Sequence, residues 1–140
     1  MEAAAEAARA LPFSFTFTAR TNNFVRGNPD LPDTIKWLQA FETAGADVLF
    51  APGLPDLASV RAVCSALSKP FNFMVGTKDK SFSVAELEAA GVRRISLASS
   101  LYRAAMSGLL EAAREVRGKG TFGYLDRSLT TPELHGLMRI

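Results

Sequence analysis

Four short segments with strand character alternate with four segments of helical spacing, and this alternation constrains the fold most strongly. The strand segments cover residues 13–19, 47–51, 70–76 and 93–98, and the helical segments follow at 33–44, 55–67, 83–90 and 99–118. Such an order forms a parallel sheet with its crossover helices packed outside. A (β/α)8 barrel uses eight such units in about 250 residues. This chain has four units in 140 residues, about half of a barrel. The pattern predicts one domain over residues 1–140, either a small open α/β sheet or half of a barrel.

Capping signals support several helix boundaries. Ser83 and Glu86 have the spacing of a capping box, and Thr131 with Pro132 marks the start of a last short helix. Residues 2–10 are rich in alanine and favour a helix, with no capping residue ahead of them. We therefore expect the chain to begin inside a structural element.

Composition excludes several classes of function. The net charge is +2 and the charges of both signs are dispersed, so nucleic-acid binding is not indicated. No apolar segment approaches the roughly 20 residues of a membrane span. One cysteine excludes an internal disulfide and fits a cytoplasmic protein, and with one histidine it excludes a zinc site of the usual ligands. The composition does not exclude a Mg²⁺ ion that is bound by oxygen ligands.

The alternation of side chains along the first strand places an arginine on the face opposite its phenylalanines. Side chains alternate between the two faces of a strand, so Phe13, Phe15 and Phe17 lie opposite a row that ends in Arg20. The three phenylalanines are expected to pack against helices, which leaves Arg20 facing inward. The third strand repeats the pattern, with Asn72 on its polar face. A barrel that holds a polar ligand at its mouth gives this arrangement, because ligands bind at the carboxyl ends of barrel strands.

Two interpretations of Arg20 are open from the residues alone. It forms a structural ion pair or caps a carbonyl group, or its guanidinium holds a carboxylate or a developing oxyanion. Among the other candidates, Lys78 and Lys80 follow the third strand and either attract an anionic substrate or lie in a solvated loop. Cys64 lies on the apolar stripe of a helix and is assigned to the core.

Several segments together resemble the isocitrate lyase/phosphoenolpyruvate mutase superfamily over nearly the whole chain. They are ARTNNF, AGADVLFAPGLPD, SKPFNF, ELEAAGVRRISLASSLYRAA and EVRGKGTF. The resemblance is to generic bacterial members and implies the C-terminal half of a (β/α)8 TIM barrel, with four parallel βα units and a C-terminal helix. Members cleave or form C–C or P–C bonds of small 2-oxo acids and related carboxylates. They use Mg²⁺ to stabilise an enolate-like oxyanion and commonly form oligomers.

The resemblance also assigns residues. Arg20 matches the substrate-binding arginine of the family, so we expect it to be catalytic and substrate-binding. Asn22 stands where many members have aspartate, and Asn72 is a polar residue that lines the barrel; both are predicted to bind substrate. Pro52 lies at or next to the glutamate of the lyases, which argues against isocitrate or methylisocitrate lyase activity.

The family's acidic metal-binding segment and its loop with a catalytic cysteine have no match in this sequence. The resemblance therefore implies Mg²⁺ whose ligands lie outside this chain, and a missing N-terminal half-barrel or self-association as its partner. Two functions stay open. The chain is part of a Mg²⁺-dependent lyase or mutase acting on small carboxylates, or it is a truncated or split half-barrel that folds and associates without catalysis. In both cases the chain by itself is expected to be inactive.

Overall fold

The structure, a computed structural model, describes residues 1–78 and 81–138. Its elements in chain order are α1 (Glu2–Arg9), β1 (Thr18–Arg20), α2 (Leu31–Thr43), β2 (Val48–Phe50), α3 (Leu57–Ser65), β3 (Phe71–Met74), α4 (Val84–Ala89), β4 (Arg94–Ser96), α5 (Ser100–Lys119) and α6 (Thr131–Leu137). Short 3-10 helices cover Phe24–Arg26 and Gly123–Arg127. The chain divides into two compact units, Met1–Ala98 and Ser99–Ile140. The assignment of residues 1–140 to one domain stays a prediction.

The first unit is built on a four-stranded sheet with the order β1-β2-β3-β4. All three neighbouring pairs are parallel, which confirms the α/β class predicted from the alternation. Strands that follow one another without a reversal of order are typical of a barrel, whereas open doubly wound sheets reverse at a switch point. The strand order therefore favours half of a barrel.

One face of this sheet forms the hydrophobic core. Ala19, Leu49 and Phe71 are aligned across the first three strands, and all three are buried. Leucine and valine side chains from the helices belong to the same core: Leu38 of α2, Val60 and Val63 of α3 and Leu87 of α4. The helices thus cover the face that the parity argument assigned to them.

The opposite face is concave. A hydrogen bond 3.0 Å long joins Arg94 Nη1 on β4 to Thr18 Oγ1 on β1. In a flat sheet these two strands would lie about 14 Å apart, because neighbouring strands are spaced by about 4.8 Å, and an arginine would not reach across. The sheet therefore curls as barrel strands do. We call the inward-facing side chains of the strands the concave face: Thr18, Arg20, Val48, Phe50, Asn72, Met74, Arg94 and Ser96.

The first strand is shorter than predicted. It begins at Thr18 rather than at residue 13, and Phe13 and Phe15 are 61% and 52% exposed. The expectation that both pack against helices is wrong; Phe17 alone of the three packs against the core. The reason is strand pairing. The backbone N–H groups of Asp47 and Val48 both donate hydrogen bonds to Phe17 O, and β2 begins only at Val48, so no strand of the described residues lies beside residues 13–16.

The predicted capping box is found where the sequence placed it, whereas α2 and α3 each begin two residues away from their predicted starts. Ser83 and Glu86 form a capping box, confirming that prediction, and the hydrogen bonds from Ser83 lower the pKa of Glu86. At α2 the side chain of Asp30 accepts a bond from Asp33 N. α3 begins at Leu57 behind Asp56 as its N-cap, two residues later than the predicted start at Pro55.

The second unit contains α5 and α6. Glu115 accepts hydrogen bonds from Thr121 Oγ1 at 2.8 Å and from Gly123 N at 2.6 Å, which tie the following turn to the end of α5. These bonds also lower the pKa of Glu115. No residue of α5 is buried within the described part of the chain. A search of the same residues finds no helix long and apolar enough to cross a membrane.

Candidate functional site

Arg20 is the last residue of β1 and points from the carboxyl end of that strand into the concave face. Its Nε donates a hydrogen bond to Asn22 Oδ1 at 2.7 Å. Its guanidinium carbon lies 5.1 Å from the centre of the Phe50 ring, within the range of a cation–π contact. These two contacts fix the plane of the guanidinium while the side chain stays exposed.

The two terminal amino groups of Arg20 are left uncommitted. Within residues 1–78 and 81–138, no carboxylate forms an ion pair with Arg20 and no carbonyl oxygen accepts its Nη hydrogens. The two contacts expected of a purely structural Arg20, an ion pair and a hydrogen bond to a carbonyl group, are therefore not found among the described residues. A guanidinium held at Nε presents its Nη1 and Nη2 as a fork, which matches the two oxygens of a carboxylate.

The loop after β1 is fastened to both neighbouring elements. Thr21 N donates to Phe50 O at 3.0 Å, and Thr21 Oγ1 donates to Asn23 Oδ1 at 2.9 Å. Asn23 Nδ2 in turn donates to the Asp33 carboxylate at 2.8 Å, in the first turn of α2. The backbone that carries Arg20 and Asn22 is therefore held to β2 on one side and to α2 on the other.

Asn72 lies on the concave face but beneath its surface. It is 2% exposed, and its Nδ2 donates to Ser96 Oγ at 3.1 Å. Its Oδ1 has no hydrogen-bond partner among the described residues, and an unpaired buried acceptor costs about 1–3 kcal/mol. In the aligned row across the sheet Phe50 stands between Arg20 and Asn72. The structure thus brings Arg20 and Asn22 together and keeps Asn72 apart from them.

Two residues near this site were missed from the sequence. Phe50 was assigned only to a strand, and Arg94 was not considered as a neighbour of the first strand. The contact of Phe50 with Arg20 follows from the register Arg20↔Phe50, and the contact of Arg94 with Thr18 follows from the curvature of the sheet. The register between strands and the curvature of the sheet cannot be read from the sequence of one segment. The only signal in the sequence was the alternation of side chains along the second strand, which places residue 50 on the inward face.

The remaining candidates contribute no contact to this site. Lys78 is exposed, and Lys80 lies outside the described residues. Pro52 is among the fully buried residues. Cys64 is half-buried against the core, as predicted, and this burial raises the pKa of its thiol to about 11.

The raised pKa of Cys64 leads to a test of its structural role. At pH 8 a thiol with a pKa near 11 carries about a hundredfold less thiolate than an unperturbed one, and the thiolate is the reactive form. We expect 5,5′-dithiobis(2-nitrobenzoate) to react with native Cys64 about a hundred times more slowly than with the chain unfolded in urea. The rate should rise as pH is raised towards 11. Equal native and unfolded rates at pH 8 would contradict the assignment to the core.

The described residues do not fit a magnesium site. Mg²⁺ is held by oxygen ligands, chiefly carboxylates. The concave face carries Arg20 and Arg94 and no acidic side chain at its inward positions. Within residues 1–78 and 81–138, no group of three or more His, Cys, Asp or Glu side chains is arranged to hold a metal ion.

Comparison with solved structures gives the same fold. A protein from Burkholderia cenocepacia J2315, described as a lyase/mutase, is 42% identical with a TM-score of 0.94, over 99% of this chain and 50% of its own. Oxaloacetate acetylhydrolase in complex with the product oxalate is 23% identical, with a TM-score of 0.80, over 96% of this chain and 47% of its own. 2,3-Dimethylmalate lyase, a PEP mutase/isocitrate lyase superfamily member, is 24% identical with a TM-score of 0.78, over 98% of this chain and 48% of its own. The last two likenesses concern the fold alone.

The chain thus spans about half the length of the structures it matches, which agrees with half of a barrel. No curated protein gives a significant sequence match. The sequence profile of phosphoenolpyruvate phosphomutase matches residues 1–117. These findings confirm the resemblance seen in the sequence: the chain belongs to the phosphoenolpyruvate phosphomutase family.

Proposed function

We propose that this chain is the arginine-bearing half of a Mg²⁺-dependent lyase or mutase that acts on small 2-oxo or 2-hydroxy carboxylates. The observation that carries the proposal is the Arg20 guanidinium, fixed by Asn22 and Phe50 at the carboxyl end of β1. Two structures of the same fold have names in keeping with this proposal: one was solved with oxalate, and the other is a lyase of a substituted malate.

Arg20 acts in two ways in this proposal. Its two Nη groups bind a carboxylate of the substrate through parallel charge-assisted hydrogen bonds. When a C–C or P–C bond breaks at the carbon adjacent to a carbonyl or carboxylate group, the electron pair stays on that carbon and delocalises as an enolate, whose oxygen gains negative charge. The other fragment leaves as a carbonyl compound, once its hydroxyl group has lost a proton to a base, or as a phosphoryl group transferred to an acceptor oxygen. A guanidinium already in place stabilises that charge without reorganisation of solvent. Arg20 is therefore proposed as both a binding and a catalytic residue, with Asn22 beside it and Asn72 in the wall of the barrel.

Magnesium enters this proposal from outside the described residues. A Mg²⁺ ion would supply Lewis-acid chemistry there, and its ligands would come from the complementary half of the barrel, since the described residues offer no such cluster. Pro52 takes the position at or next to the glutamate of the lyases, so we place the activity outside isocitrate and methylisocitrate cleavage. The single free cysteine also leads us to propose a cytoplasmic location.

The proposed partner is a complementary half-barrel, or a second copy of this chain when no such half is present. β1 and β4 are the outer strands of the sheet, and among the described residues no further strand pairs with the outer side of either. Unpaired strand edges bind other strands readily. Phe13 and Phe15 precede β1 in the chain, and both are exposed apolar side chains.

The open edges give a prediction about assembly. We expect the purified chain to self-associate in light scattering, with a weight-average mass above the 15.1 kDa of one copy. Co-expression with the part of the Burkholderia cenocepacia structure that this chain does not cover should convert it into a discrete one-to-one complex. A stable monomer that unfolds cooperatively in urea would contradict this prediction.

Calorimetric titration tests the function itself. Oxalate and pyruvate are titrated, in Mg²⁺, into the chain alone and into the complex with the complementary half. The proposal predicts saturable binding to the complex at one site per barrel, and weaker binding to the chain alone. Failure of both ligands to bind the complex would overturn it.

The alternative is a half-barrel that folds and associates without catalysis. The observation in its favour is that the described residues offer no cluster of metal ligands. It predicts the same assembly but no carboxylate binding in either preparation. The same titration therefore separates the two functions.

A further inference from the structure

We propose that Arg94 is the residue by which this half-barrel recognises its complement. In the closed barrel its guanidinium forms an ion pair with an aspartate or glutamate that the complementary half contributes to the interior. This inference rests on the partner named in the proposed function and adds the chemistry by which that partner is recognised.

The register of the sheet places Arg94 inside the barrel. Arg94 is aligned with Asn72 of β3, so both side chains belong to the concave face. The preceding residue, Arg93, lies on the opposite face because side chains alternate along a strand, and it lines a cavity together with Cys64 of α3. The two successive arginines at the start of β4 therefore lie in different environments.

Arg94 points into the barrel below the candidate site. Its Nη1 donates a hydrogen bond to Thr18 Oγ1 at 3.0 Å, and Thr18 is the first residue of β1, two residues before Arg20. Ligands of barrel enzymes bind at the carboxyl ends of the strands, whereas the interior below is filled by packed layers of side chains. Arg94 therefore belongs to the interior rather than to the mouth that holds Arg20.

The charge of Arg94 is not neutralised by this chain. Thr18 Oγ1 is a neutral acceptor, and within residues 1–78 and 81–138 no carboxylate forms an ion pair with Arg94. The inward positions of the four strands carry a second arginine, Arg20, and no acidic side chain. Arg94 is exposed in this half-barrel, so solvent screens its charge there.

Closure of the barrel removes that solvent. The missing strands would cover the concave face, and an unpaired guanidinium in a packed interior is strongly destabilising. A carboxylate offsets this cost best, because its two oxygens match the guanidinium in both charge and geometry. Since the described inward positions of this chain carry no carboxylate, the half that closes the barrel has to supply it.

The same charges disfavour closure by a second copy of the chain. A barrel made from two copies would enclose Arg20 and Arg94 twice, with no acidic side chain at the described inward positions, and like charges repel one another. Two copies can still associate through their open strand edges. A closed barrel is expected only with the complementary half.

The substitution Arg94→Met tests the ion pair in the complex with the part of the Burkholderia cenocepacia structure that this chain does not cover. Methionine keeps an unbranched side chain and removes the charge, which leaves the partner carboxylate buried and unpaired. We expect the dissociation constant of the complex, measured by analytical ultracentrifugation, to rise at least about a hundredfold. Arg94→Lys keeps the charge and should lose less affinity. An unchanged dissociation constant in Arg94→Met would overturn the proposal.

Arg93→Met is the matched control. It removes the same charge from the neighbouring position, on the outer face of the same strand, where Arg93 is exposed. The dissociation constant of its complex should stay within about twofold of wild type, because an exposed charge outside the interior is largely screened. An equal loss in Arg93→Met and Arg94→Met would contradict a specific role for the inward arginine.

A double-mutant cycle identifies the partner carboxylate. Each acidic residue of the complementary half is changed to its amide, one at a time, and combined with the wild-type chain and with Arg94→Met. One of these changes should weaken the wild-type complex and partly restore the Arg94→Met complex, because it removes the carboxylate left unpaired. A loss in Arg94→Met without coupling to any acidic position would show that Arg94 only fills space, and the proposal would fall. The combinations with the wild-type chain do not depend on the folding of Arg94→Met.

The outcomes keep this inference apart from the proposed function. Association is measured without oxalate, so a failure of oxalate to bind leaves the test of Arg94 intact. If the wild-type chain forms no complex with the complementary half, the proposed partner and the role of Arg94 are both overturned. If the complex forms and Arg94→Met has no effect on it, the role of Arg94 alone is overturned.

Discussion

Replacing Arg20 with alanine is expected to weaken oxalate binding to the assembled barrel by about a hundredfold or more. The variant loses two hydrogen bonds to a charged group, each worth about 1.5–3 kcal/mol, together with the charge itself. Arg20→Lys should retain part of the affinity, because an ammonium supplies the charge but not the planar fork. Calorimetry on the complex with the complementary half, in Mg²⁺, measures both variants.

Arg61→Ala is the control for this loss. Arg61 is an exposed arginine on α3, and no hydrogen bond or ion pair joins it to another described residue. Its removal changes the net charge by the same amount and should leave oxalate affinity unchanged. Arg20 is also exposed, so the midpoint of urea unfolding should move little in either variant. Unchanged affinity in Arg20→Ala would remove the basis of the proposed function.

Phe71→Ala is expected to have the largest effect on stability. Phe71 is 1% exposed on the helix-covered face of β3, and it is aligned with Leu49 of β2 in the core. Truncation of a fully buried phenylalanine to alanine costs about 3–5 kcal/mol through lost burial and the cavity left behind. Urea unfolding, followed by circular dichroism at fixed protein concentration, measures the change in the free energy of unfolding.

Phe13→Ala is its matched control and also tests the late start of β1. Phe13 is 61% exposed and precedes the strand, so its truncation should change the free energy of unfolding by less than about 0.5 kcal/mol. Comparable destabilisation by both variants would show that the first strand extends back to residue 13 and packs against the helices.

The helices were predictable because their signals are local. Ser83 and Glu86 lie three residues apart, and the hydrogen bonds of a capping box need no other part of the chain. The α/β class was equally predictable, since alternating strands and helices have few ways to fold. The extent of β1 was not, because Phe13 and Phe15 alternate like strand residues and only the position of β2 shows that they have no partner.

The face on which the candidate site residues lie was predictable from the sequence, and their contacts were not. Period-two parity placed Arg20 and Asn72 on the same face, and the register confirms that both face inward. The burial of Asn72 depends on how β3 and β4 pack, which one segment does not reveal. The hydrogen bond from Arg20 to Asn22 depends on the conformation of the turn after β1, which the residue types alone do not reveal.

A nuclear magnetic resonance titration with oxalate tests the central claim most directly, because it reports where the ligand binds. The complex of the labelled chain with the complementary half is titrated in Mg²⁺, and the side-chain signals of Arg20 Nε–H and Asn22 Nδ2–H are followed. The account predicts that both shift saturably, with the dissociation constant that calorimetry gives. Saturable binding that shifts signals elsewhere and leaves those of Arg20 and Asn22 unmoved would contradict it.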